Sequence, residues 1–162
     1  MPAFRRASIA RLSSANKQEI ANSAWALALL DDGSQEALDA LSKVSQAAAA
    51  VAPQMTPQEL ANTCYGLSLR GVSCSDFLDG VVSVVAKSSS AWTAVEKRMD
   101  LPVIAWAFAK LGIVSKGMMQ AVAVALAGSV PGLKEWGLCV VVLDLSGRVV
   151  PHFCMLGAAS AG

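Results

Sequence analysis

KQEIANSAWALALL, from Lys17 to Leu30, comes back twice further along the chain: as PQELANTCYGLSLRG, from Pro57 to Gly71, and as MDLPVIAWAFAKLG, from Met99 to Gly112. The aromatic anchors Trp25, Tyr65 and Trp106 stand 40 and 41 residues apart, and Gly71 and Gly112 stand 41 apart, so the register holds at both ends of the unit. A degenerate fourth copy, KEWGLCVVVLDLSG, ends at Gly147, 35 residues after Gly112. A period near 40 with no strand or hairpin signal between copies is that of a helix pair stacked side by side. The sequence therefore predicts an all-α fold: a right-handed α-solenoid of helix-pair repeats, armadillo- or HEAT-like, with three clear repeats and one degenerate.

The first helix of each pair carries apolar residues on most sides. In the first copy Ile20, Ala24, Leu27 and Ala28 share one face, and Ala21, Trp25 and Leu29 an adjacent one, as for a helix packed by several neighbours. Trp25, Tyr65 and Trp106 are accordingly expected as core anchors. The intervening segments read as second helices. In SQEALDALSKVSQAAAAVA, Ser34–Ala52, Leu38, Leu41, Val44 and Ala48 fall at three- and four-residue steps, with Asp39, Ser42 and Lys43 opposite. Ser34 is placed to cap that helix, with Glu36 in its first turn. Segments starting at Ser75 and Ser115 repeat the plan. Gly33, Gly71, Gly112 and Gly147 suit helix C-termini, and Pro57, Pro102 and Pro131 suit helix starts. Trp92, in a polar connection, is the aromatic nearest to an exposed position, with a lid over the inter-helix groove as its expected role.

Residues 17–148 form the expected repeat domain. Residues 1–16 read as the second helix of a preceding repeat; the alternative is an organelle transit-like segment, since Arg5, Arg6 and Arg11 occur before the first acid, Glu19. Residues 149–162 form a degenerate helix or tail. Leu138–Leu145, with three consecutive valines, is strand-like by propensity and helical by register; the register is followed. Neither end shows a polar cap, so further repeats or a protein partner are expected against the ends.

Of the 162 residues 54% are hydrophobic and 15% charged, with net charge +1 and mean hydropathy +0.49. Disorder is excluded by that hydrophobicity, and binding of nucleic acid by bulk charge alone is excluded by that balance. The longest interior uncharged run, between Lys116 and Lys134, is interrupted by Gln120, Pro131 and glycines, so no membrane span is expected. Cys64, Cys74, Cys139 and Cys154 show no C-x-x-C spacing, and His152 is the sole histidine. No metal site, cofactor or catalytic constellation is expected, because neither ligand sets nor a nucleophile–base pair can be assembled from them.

QELANTCYGLSLRG, Gln58–Gly71, together with IANSAWALALL and IAWAFAKLG, resembles the helical repeats of organelle RNA-binding proteins: the octotricopeptide-repeat, FAST-kinase-like and RNA-editing substrate-binding-complex families. The resemblance covers roughly residues 17 to 147, weakens in the fourth copy, and departs from the motif where Pro102 replaces Ala and Val103 and Leu138 replace Asn. It implies a non-catalytic role in mitochondrial or chloroplast RNA processing, stability or translation, with single-stranded RNA as partner.

Candidate RNA contacts then fall into two rows. Asn22 and Asn62, with Ser23 and Thr63 beside them, would lie side by side as base-reading groups. The preferred expectation for them is an Asn ladder satisfying backbone groups between helices. Arg70, Lys110 and Arg148, each within two residues of a closing glycine, align along one edge with Lys116 and suit phosphates; equally they suit helix C-terminal dipoles. The competing functional class is a protein-interaction scaffold of the HEAT or armadillo type.

Overall fold

The computed structural model describes residues 2–30, 33–113, 115–118 and 122. The fourth copy, Pro131, Arg148, the 138–145 segment and the 149–162 tail lie outside these. The described residues form six α-helices: α1 (Pro2–Arg11), α2 (Lys17–Leu29), α3 (Gln35–Val51), α4 (Pro57–Leu69), α5 (Ser75–Ser88) and α6 (Ala94–Lys110). There is no strand among them.

Each first helix starts in the same way. Asn16, Thr56 and Thr93 accept a hydrogen bond from the backbone N–H three residues on. The glutamate at that position, Glu19, Glu59 or Glu96, accepts one from the capping residue's own N–H. This reciprocal box satisfies two donors that a helix start leaves orphaned. A short 3-10 turn precedes each box, at Leu12–Ser14, Ala52–Gln54 and Ser89–Ala91. Ser34 caps α3 as expected, its hydroxyl accepting from Ala37 N–H at 3.3 Å. Gly71 and Gly112 end α4 and α6 at φ +67° and +70°. There the N–H of Val72 reaches the Leu67 carbonyl and that of Ile113 the Phe108 carbonyl, both at 3.0 Å, closing a Schellman turn that only a residue tolerant of positive φ adopts freely.

One expectation about helix ends is corrected. Pro102 lies inside α6, not at its start, because the box at Thr93 begins that helix one turn earlier than the repeat register implies. Gly33 adopts a positive φ of +76° immediately before the α3 cap. In the register of Gly71 the α2 position is Asp31.

The helices form two layers. In the first, α4 packs between α2 and α6; in the second, α3 packs between α1 and α5. Residues Leu41, Val44, Leu60, Leu67, Phe77, Val81, Leu101 and Ile104 fill the space between layers and are fully buried. Small residues bring the first layer close. A Cβ on Gly66 would stand 2.5 Å from the Ala24 carbonyl oxygen and 3.0 Å from the Trp25 nitrogen, so α2 and α4 meet backbone to backbone. Two side chains tie the same pair at its ends. Arg70 Nε donates to the Ala28 carbonyl at 2.7 Å, one of the last-turn carbonyls that lack an intrahelical partner in any helix. Lys17 Nζ donates to the Gln54 carbonyl at 2.6 Å and lies 3.5 Å from Glu59.

Candidate functional site

The first layer turns one side inward to α3 and α5, and the opposite side to solvent. Three rows of four residues lie on that outer side, each at steps of four, three and four: Gln18, Asn22, Trp25 and Leu29 on α2; Gln58, Asn62, Tyr65 and Leu69 on α4; Met99, Val103, Trp106 and Lys110 on α6. All twelve are exposed or half-buried. Lys110 is the sole charged group among them. The acids of these helices are engaged elsewhere: Glu19, Glu59 and Glu96 in the capping boxes, and Asp100 one position off the row.

The aromatic residues are not core anchors, contrary to expectation. Trp25 is 47% exposed, and Tyr65 and Trp106 are half-buried. The cause is steric. Gly66 and the alanines of the first layer let the backbones approach until no room remains for a large ring between them. Tyr65 and Trp106 lie with ring centroids 5.5 Å apart and planes tilted by 30°. Lys110 Nζ stands 5.7 Å from the Trp106 centroid, a cation–π distance worth about 0.5–1 kcal/mol at an exposed position. Trp92, by contrast, is buried at 9% exposure in the common core.

The polar candidates separate. Asn22 is exposed and Asn62 half-buried; neither amide has a hydrogen-bond partner among the described residues, so the inter-helix Asn ladder is not formed. Thr63 is fully buried and its hydroxyl donates to the Glu59 carbonyl at 2.8 Å, the back-bonding usual for a helical threonine; it cannot reach a ligand. Arg70 is a tie between α4 and α2. Lys110 and Lys116 are exposed, and Arg148 lies outside the described residues. The structure thus brings Asn22, Asn62 and Lys110 onto one face and removes Thr63 and Arg70 from it.

Burial pushes the Cys64 thiol well above its ordinary range, so it stays protonated and is no nucleophile. Burial, and secondarily the charge of Glu96, raises the Asp100 carboxyl. No group of three His, Cys, Asp or Glu side chains that could hold a metal occurs among the described residues, and no helix there is long and apolar enough to cross a membrane.

The aromatic row is what sequence reading missed. A helical wheel carries the signal: Trp25 and Leu29 share an arc with Gln18 and Asn22, opposite Ile20 and Leu27. No family model, curated protein or solved structure matches the chain.

Proposed function

We propose that this protein is a non-catalytic RNA-binding helical-repeat protein, an armadillo-like right-handed solenoid, acting in organelle RNA processing, stability or translation. The observation that carries the reading is the outer face of α2, α4 and α6. It presents the same positions of successive repeats in line, offers two amides one repeat apart with no hydrogen-bond partner among the described residues, and carries Lys110 and no acid at its twelve positions. A periodic face suits a periodic ligand, and an unpaired strand offers bases for the amides and phosphates for Lys110. The resemblance of the three repeats to organelle RNA-binding families supports the same reading.

With so few cations, binding depends on low salt. Anisotropy titrations of a fluorescent mixed-sequence single-stranded RNA are expected to saturate at low ionic strength and weaken as salt rises. Lys110→Gln and Lys116→Gln are expected to weaken binding about equally for all sequences and to flatten the salt slope. Absence of binding at low salt overturns the proposal.

A second reading, docking of a protein, is favoured by one observation: Leu29, Val95 and Met99 are large apolar residues at 52%, 59% and 58% exposure, and interface centres are depleted in charge. Association through such a face is insensitive to salt, which separates it from RNA.

A further inference from the structure

Three features of the outer face are unexplained by an amide row alone. A tryptophan is held half in solvent at Trp25. The rings of Tyr65 and Trp106 are set against each other across two helices at 5.5 Å. Each first-layer helix carries one aromatic on its outer row, always three residues after the Asn22 position, so that Asn22–Trp25 and Asn62–Tyr65 are neighbours one turn apart on the same side.

We infer that Trp25, Tyr65 and Trp106 form a stacking row for the bases of an unpaired RNA strand, one ring per helix pair, with Asn22 and Asn62 reading the edges of the bases stacked beside them. This rests on the RNA-binding reading above. Base faces stack on aromatic rings whatever their sequence, so the row supplies affinity. An amide offers both a donor and an acceptor to a base edge, so the asparagines supply preference. The third pair has Val103 where the others have asparagine. It holds a base on Trp106 without reading it, and Lys110, already over that ring at 5.7 Å, meets the adjoining phosphate. The occupant must be single-stranded, because bases paired in a duplex present no free face to a ring. The absence of acid from the twelve positions fits a polyanion. Trp25 and Tyr65 take no part in the core, and Trp106 packs against it only in part.

The test uses the full chain and three probes of equal length: a mixed-sequence single-stranded RNA, its duplex, and an abasic strand with the same sugar–phosphate backbone. The single strand is expected to bind, the duplex and the abasic strand far more weakly. Trp25→Ala, Tyr65→Ala and Trp106→Ala are each expected to lower affinity about 5- to 150-fold, with Trp25→Phe retaining most of it. Asn22→Ala is expected to reduce discrimination among base substitutions with a smaller loss of mean affinity, and Val103→Ala to leave discrimination unchanged. Circular dichroism confirms folding of each variant. If wild-type protein binds the single strand but holds the abasic strand equally well, or Trp25→Ala loses less than twofold, the stacking row is wrong and RNA binding through phosphates stands. If wild-type protein binds no RNA but self-associates or docks a protein in a manner abolished by Trp25→Ala, both readings are overturned and the row belongs to a protein interface.

Discussion

The two solvent-facing sides of this molecule are built by different rules. The outer side of α3 and α5 exposes Glu36, Asp39, Lys43, Asp76, Asp79 and Lys87, among small polar residues. That is the ordinary surface of an amphipathic helix. The twelve outer-row positions of α2, α4 and α6 present amides, rings and aliphatic groups, with Lys110 as the sole charge among them and Glu19 and Asp100 one position to the side. Solvation alone explains the first side and not the second. The contrast teaches that in the first layer hydrophobicity does not report burial. Between neighbouring first-layer helices small residues such as Ala24 and Gly66 take the contacts, and Trp25, Leu29 and Met99 are left outside.

If that is right, stability resides mainly in the space between layers, and Trp25, which takes no part in the core, contributes almost nothing to it. Phe77, fully buried beneath α5, should reveal the largest effect: Phe77→Ala is expected to destabilise by about 3–5 kcal/mol in urea denaturation. A loss below about 1 kcal/mol would mean that the layers are held by something other than this core. Next comes Gly66→Ala, whose new methyl meets backbone at 2.5 Å; forcing α2 and α4 apart is expected to cost about 1–3 kcal/mol. An unchanged melting temperature would show that the first layer tolerates a wider spacing.

Thr93→Ala removes one half of the α6 capping box and is expected to cost about 1 kcal/mol, with Thr93→Ser restoring most of it. On the outer face, Trp25→Ala should change stability by no more than about 0.5 kcal/mol. A loss comparable with that of Phe77→Ala would return the ring to the core and erase the contrast between the faces.

The smallest effect is one of pH. Burial first, and Glu96 second, raise the Asp100 carboxyl in the folded protein. A raised carboxyl favours the folded state below its unfolded value, near the ordinary 3.8, and that contribution is lost as pH rises through the folded value. Asp100→Asn is therefore expected to raise the melting temperature slightly at neutral pH and to flatten the dependence on the acid side; unchanged curves would place Asp100 in open solvent.

Much of the all-helical architecture was legible because its signals are local. The 40-residue repeat, Gly71 and Gly112 at helix ends, and the Ser34 cap each depend on a few neighbouring residues. The capping boxes at Asn16, Thr56 and Thr93 were equally visible as a polar residue followed three places on by glutamate. Fixing the start of α6 from Thr93 would have put Pro102 inside the helix. The outward turn of Trp25 was harder to read. The wheel sets Trp25 on the polar arc of Gln18 and Asn22, but the closeness that expels the ring depends on Gly66, 41 residues away in sequence. Arg70 is hidden for the same reason: its reach to the Ala28 carbonyl depends on how α4 lies against α2. Of the candidate site, the asparagine positions and Lys110 were recoverable from register, whereas the approach of Tyr65 to Trp106 and the burial of Thr63 required the packing.

The extra turn at the start of α6 has an architectural consequence. Thr93 stands thirteen residues before Trp106, whereas Asn16 and Thr56 stand nine before Trp25 and Tyr65. The difference of four residues is close to one helical turn, so the helix lengthens without rotating what it displays. A first-layer helix can thus gain or lose a whole turn at its start while what it displays stays in phase.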